Sequence, residues 1–252
     1  VSTPPVLAVE QLTLRIGGAL IIDDVSLAVP EGEMLGVIGP NGAGKTTMFN
    51  LVSGVLRPTA GRIRLGERDV TTASVDARAR AGLGRSFQTS NLFLGLTVLE
   101  NVRLAAQAAL GGSLSPVRFP RPGDAASRRA AERIDQVGLG RLAETLAGGL
   151  SHGDKRKLEI AMLLAAEPRV ILLDEPMAGV GSGDVPGLVE LIRQVHRESG
   201  RTVLMVEHHM DVVLGLVDRV AVMHHGRLLA CDVPEAVMAD PVVQSAYLGE
   251  PM

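Results

Sequence analysis

The sequence predicts an α/β fold: a mostly parallel sheet, with an antiparallel β subdomain ahead of it and an α-helical subdomain inserted into it. Three features point to this. An unbroken apolar run over residues 34–38 meets a glycine-rich loop and then a helical stretch over 46–52. From residue 170 to residue 223 apolar strands and helical stretches alternate, the βαβα pattern of a parallel sheet. Between these regions, residues 91–166 are rich in Ala and Leu at helical spacing.

In chain order, 7–9 and 12–14 read as two short strands before a turn at Gly17 and Gly18. Residues 25–29 alternate and stop at Pro30 and Gly32, and 34–38 suit a strand covered on both faces. The helix over 46–52 is stopped near Gly54 and Pro58, and 62–65 form a short strand. Helices follow over 98–110 and 125–137, separated by a loop carrying Gly111, Gly112, Pro116, Pro120, Pro122 and Gly123. Another helix starts at Ser151 and ends before Pro168. Strands at 170–173, 203–206 and 220–223 then alternate with helices at 185–196 and 210–216. The expected division is one domain over 6–238, with a core of 6–90 and 167–238, a helical insertion over 91–166, and a tail over 239–252.

Composition removes several function classes. Aromatic residues make up 2% of the 252 and the formal net charge is −3, so neither stacking platforms nor a basic face for nucleic acid is expected. Cys231 is the one cysteine, which excludes an intrachain disulfide. Residues 1–6 lack a basic region followed by an apolar run, so no signal peptide is expected. The apolar runs fall well short of the roughly 20 residues a membrane span needs.

Gly39, Pro40, Asn41, Gly42, Ala43, Gly44, Lys45 and Thr46 fit the phosphate-binding pattern G-x-x-x-x-G-K-[ST], with Thr47 beside it. The pattern follows a buried strand and opens a helix, so the core is expected to be a P-loop NTPase. Glycines let backbone N–H groups curl around phosphate, Lys45 brings a cation to the β- and γ-phosphates, and the Thr46 hydroxyl suits Mg²⁺. The apolar run 170–173 ends in Asp174 and Glu175, at the strand end where sites of such sheets lie. Asp174 is expected to hold Mg²⁺ through water and Glu175 to orient or deprotonate the attacking water. Without the loop upstream, two acids before Pro176 would read as a turn.

Leu150, Ser151, His152, Gly153 and Asp154, followed by Lys155, Arg156 and Lys157, resemble the ABC signature L-S-G-G-Q. The same serine and acid also suit a helix cap. In that family two subunits pair head to tail, and the signature Ser and Gly of one meet the γ-phosphate held by the other. The resemblance thus gives Ser151 and Gly153 a nucleotide contact across an interface, with ATP and Mg²⁺ as ligands. It makes Gln88 the glutamine that senses Mg²⁺ and the transmembrane partner. It makes His208 the γ-phosphate histidine, with His209 beside it as the competing choice. The position that stacks an aromatic ring on adenine falls at Ile16. This chain departs from the family pattern at His152, Asp154 and Gly181.

Stretches at 91–93, 96–101, 158–160, 207–211 and 247–250 look like the ATP-binding subunits of branched-chain (hydrophobic) amino acid importers. Residues 151–153 and 162–164 are also similar to the urea-importing branch. The resemblance implies an ATPase that drives transport from the cytoplasmic face of the membrane. Its partners would be transmembrane permease subunits, a second ATPase subunit (identical or a paralogue) and, indirectly, an external solute-binding protein. A soluble ABC ATPase and a non-enzymatic nucleotide sensor are the other readings.

Overall fold

The computed structural model describes residues 4–86, 92–111 and 123–248. Gln88, Asn91, Gly112, Pro116, Pro120, Pro122, Gly249 and Glu250 lie outside them. The chain opens with an antiparallel hairpin of β1 (Leu7–Ile16) and β2 (Ala19–Val29), turning at Gly17 and Gly18. The sequence predicts two strands where β1 runs as one. Gln11 sits at φ +48 and the register slips between Val9 and Leu12, so both side chains are buried three positions apart. A bulge of that kind hides a continuous strand from a period-2 reading.

β3 (Met34–Ile38) leads through the glycine loop into α1 (Lys45–Ser53). Then come β4 (Ala60–Leu65), β5 (Arg68–Asp69), α2 (Val75–Arg80) and β6 (Leu83–Arg85). Three helices follow: α3 (Val98–Ala109), α4 (Ala125–Gln136) and α5 (His152–Ala165). The chain returns through β7 (Val170–Asp174), α6 (Val185–Ser199), β8 (Thr202–Val206), α7 (Met210–Leu214), β9 (Arg219–His224) and β10 (Arg227–Asp232). It closes with α8 (Pro234–Ala239) and α9 (Pro241–Leu248).

Contacts divide the chain into two compact units. One comprises Val1–Arg85, Arg169–Pro176 and Arg193–Met252, and holds both sheets. The first sheet is antiparallel, in the order β2-β1-β4-β5. The second runs β10-β9-β3-β8-β7-β6, parallel from β9 to β6 with β10 antiparallel at its edge. Every residue of β3, β7 and β8 is buried, which explains their unbroken apolar sequences. Because β8 lies between β3 and β7, the carboxyl ends of these three strands meet. They deliver the loop 39–44, the acids 174–175 and the segment 207–209 to one place.

The other unit, Ser86–Pro168 and Met177–Ile192, packs α3, α4 and α5 together. α3 buries Val98, Val102 and Ala106, and α4 buries Ala126, Ala130 and Ile134, each on one stripe. Thr97 and Glu100 form a reciprocal capping box at the start of α3, and Asp124 caps α4.

The C-terminal end of α1 is held by a buried cation. Arg78 on α2 is 1% exposed, and its Nη1 donates to Leu51 O (2.5 Å) and Val52 O (2.6 Å). Its Nε and Nη2 donate to Ala73 O and Thr71 O. Burial lowers the Arg78 pKa, opposed by Asp69. A cation suits the carbonyls at the negative end of a helix, where Leu51 O also accepts from Gly54 N (3.2 Å). Arg78→Met keeps much of the side-chain bulk and removes every donor. It is expected to cost about 3 kcal/mol or more, read as an earlier midpoint in urea unfolding of the nucleotide-free chain.

Candidate functional site

The glycine loop is shaped by backbone that approaches its neighbours too closely for side chains. Gly39 has φ +151, and a Cβ there would lie 2.1 Å from Met223 O. Gly44, at φ +100, is the N-cap of α1 and has no side-chain cap; a Cβ would meet Ile22 Cδ1 at 2.8 Å. The first amides of α1 therefore face outward without intrahelical acceptors, as an anion requires. Ala43 N donates to Pro40 O within the loop, and Gly226 N, in the β9–β10 turn, braces it by donating to Ala43 O (3.0 Å).

Lys45 folds over this loop. Its side chain donates from Nζ to Gly39 O (2.6 Å) and Pro40 O (3.0 Å), and the residue is buried. Burial pushes the ammonium below its ordinary pKa, and the nearby Glu175 carboxylate opposes that shift. Thr46, one position on in the first turn of α1, is exposed.

Asp174 ends β7 and is buried beside Arg85, whose Nη2 donates to Oδ2 at 2.6 Å. Glu175 follows in the left-handed region, at φ +50, with its amide donating to Val206 O of β8. Strain of that kind persists where surroundings fix it, and it aims the Glu175 side chain away from the strand direction. Glu175 Oε1 lies 2.9 Å from His208 Nε2.

The two histidines after β8 separate cleanly. Glu207 is buried, and its Oε2 accepts from His208 N (2.9 Å) and faces His209 Nδ1 at 3.1 Å. His208 thus turns to Glu175 and His209 to Glu207. The anchoring of this segment by Glu207 shows only in the structure, since a lone acid after a strand carries no sequence signal for it. A cavity of about 300 Å³ is lined by residues 41–47 together with Ile21, Glu175 and His208. Ile16 ends β1, largely exposed and outside the lining, where the β2 residue Ile21 takes part instead.

In the helical unit, Ser151 is the N-cap of α5. Its hydroxyl accepts from Asp154 N (3.1 Å) and donates to Asp154 Oδ2 (2.8 Å). Lys157 Nζ reaches the other oxygen of Asp154 at 3.4 Å. Gly153 is buried in the first turn, where a Cβ would lie 3.1 Å from Asp184 Oδ2. The cap expected from sequence is present.

Residues 22–178 match the ABC transporter family, and residues 227–251 match the branched-chain amino acid ATP-binding cassette transporter family. The chain belongs to the ABC transporter family. This ABC cassette is 40% identical, over 98% of both chains, to the high-affinity branched-chain amino acid transport ATP-binding protein LivG of Salmonella typhimurium (strain LT2). It is 38% identical, again over 98% of both, to the corresponding protein BraF of Pseudomonas aeruginosa. Among solved structures it resembles the ADP conformation of MJ1267, an ATP-binding cassette of an ABC transporter. The TM-score is 0.85 at 29% identity, covering 98% of this chain and 100% of that one. A dimeric post-hydrolysis state of the cassette MJ0796, bound to ADP and Pi, matches with a TM-score of 0.75 at 27% identity, over 90% and 98% of the two chains. The cassette is accordingly a nucleotide-binding ATPase, and among its described residues no helix is long and apolar enough to cross a membrane.

Proposed function

We propose that this cassette is the ATP-hydrolysing subunit of an importer for branched-chain or other hydrophobic amino acids, seated on the cytoplasmic face of the membrane. One observation carries the chemistry: Lys45, Glu175 and His208 converge on the cavity at the N-terminus of α1. The solute rests on the match at 227–251 and on the likeness to LivG and BraF. Its proposed partners are transmembrane permease subunits, a second ATPase subunit and, through the permease, an external binding protein. The division into a core (6–90, 167–238), a helical insertion (91–166) and a tail (239–252) is part of the same proposal.

The triphosphate of ATP would lie against the amides of 42–47, where the uncapped end of α1 and Lys45 offset its charge. Glu175 takes a proton from the attacking water. His208, 2.9 Å away, keeps that carboxylate oriented and meets the γ-phosphate. Mg²⁺ fits the described residues: a hydroxyl at Thr46 in the cavity wall and the buried carboxylate of Asp174. The family resemblance, not the described structure, adds Gln88 as a third contact. A small hard cation of this kind takes one or two protein oxygens and completes its shell with phosphate and water. When bound, it would neutralise charge developing on the β- and γ-phosphates. Ser151 and Gly153 would close over the nucleotide held by the partner subunit, supplying a helix N-terminus across the interface.

Reconstitution of the cassette with its permease subunits and binding protein in liposomes tests the proposal. ATP inside the vesicles is expected to drive uptake of radiolabelled leucine, competed by isoleucine and valine. Uptake of urea without leucine would overturn the solute, and leucine-independent ATPase activity with no uptake of either would overturn the transport role.

A further inference from the structure

The carboxylate of Asp174 is held from behind by a residue to which the sequence patterns assign no role. Arg85 ends β6, which pairs in parallel with β7 so that Arg85 lies opposite Leu172, two residues short of Asp174. The two side chains are 7% and 1% exposed and 89 positions apart in the chain. Nη2 of Arg85 donates to Asp174 Oδ2 at 2.6 Å. Nη1 donates to Asn50 Oδ1 (2.8 Å) and Ser53 Oγ (2.7 Å), both on α1. The guanidinium also stands 6.0 Å from the ring centroid of Phe49, one helix position before Asn50.

We propose that Arg85 is a positioning residue: it ties the last turns of α1 to β7 and sets the Asp174 carboxylate for a hydrated divalent cation. The inference rests on the reading of Asp174 given above. A planar fork bonds a carboxylate with one nitrogen and two α1 acceptors with the other, a spread wider than the single nitrogen of an ammonium offers. The helix so anchored is the one whose first turn carries Lys45 and Thr46. One guanidinium therefore fixes the carboxylate relative to the hydroxyl that shares the cation with it. Partners one step behind a metal ligand often govern affinity as strongly as the ligand's own orientation.

The sign of the effect separates this role from simple charge. A cation beside a metal site repels the metal, so on charge alone removing Arg85 would tighten metal binding. Positioning predicts the opposite. Arg85 is also the last residue of the sheet-bearing unit before the chain passes to the helical one, three positions ahead of Gln88. A shift of β6 would thus reach Asp174 directly.

The test measures Mn²⁺ binding to the full chain with a non-hydrolysable ATP analogue, following free Mn²⁺ by electron paramagnetic resonance. Nucleotide affinity in EDTA and the unfolding midpoint are measured alongside. Arg85→Met and Arg85→Lys are each expected to weaken Mn²⁺ about tenfold or more, with metal-free nucleotide affinity within about twofold. Asn50→Ala, which loosens only the anchor and spares the fold if Arg85→Met does not, is expected to weaken it by about threefold. Unchanged or tighter Mn²⁺ binding in Asn50→Ala or Arg85→Met overturns the inference, as does full wild-type affinity in Arg85→Lys. Asp174→Asn is the control: if it binds Mn²⁺ as the wild type does, the reading of Asp174 itself has failed.

Discussion

Glu175→Gln is expected to leave ATP bound while slowing its hydrolysis by about 10²–10⁴-fold, the ordinary worth of a positioned general base. The substitution is nearly isosteric, and Gln tolerates the left-handed backbone at φ +50 about as well as Glu does. Its amide can still meet His208 Nε2, now 2.9 Å from Oε1, so the loop after β8 should keep its place. What disappears is the basic oxygen that accepts a proton from water. Loss of the charge also removes a neighbour that favours the protonated form of Lys45. The measurement is phosphate release under steady state, with bound nucleotide counted after rapid gel filtration. Turnover near the wild-type rate, with nucleotide bound normally, would take the catalytic role away from Glu175. Loss of nucleotide together with turnover would instead indicate that the loop had collapsed.

How far the sequence reaches depends on whether an element's chemistry is local. β3, β7 and β8 are legible because strands covered on both faces need unbroken apolar runs. The glycine loop is legible because close backbone approach at Gly39 and the left-handed φ of Gly44 favour glycine. β1 is read as two strands because the slip at Gln11 breaks the alternation. β6 spans Leu83–Arg85 only and includes a glycine, which is too short for any periodic signal. α2 hides for another reason: its buried side chain is Arg78, so a pattern of apolar residues cannot find it. β10 is a half-buried edge strand with a register shift of its own. Within the site, the choice between His208 and His209 depends on which imidazole faces β7, and adjacent positions carry no sequence signal for that. The Arg85–Asp174 pair joins strands 89 residues apart and is fixed by sheet order.

Lys45→Ala is expected to abolish tight nucleotide binding without unfolding the chain, and both halves follow from the position of the ammonium. Bound triphosphate would be the main partner of a buried cation. Removing such a partner costs about 2–5 kcal/mol, roughly 30- to several-thousand-fold in Kd. In the nucleotide-free chain the accounting differs. Among the described residues Nζ donates to the neutral carbonyls of Gly39 and Pro40, and burial lowers its pKa, with Glu175 opposing. A base whose folded pKa is depressed makes the charged form costly. That cost is fully present below the folded pKa and vanishes as pH rises past the unfolded value. At neutral pH the wild type therefore carries a penalty that alanine removes, offsetting the two lost hydrogen bonds. The unfolding midpoint without nucleotide should change little, whereas the rise that saturating ATP gives the wild type should disappear. Titration with a fluorescent ATP analogue and thermal melts with and without ATP read both halves. Wild-type affinity in a folded Lys45→Ala chain would mean that the cavity at the head of α1 does not hold the triphosphate.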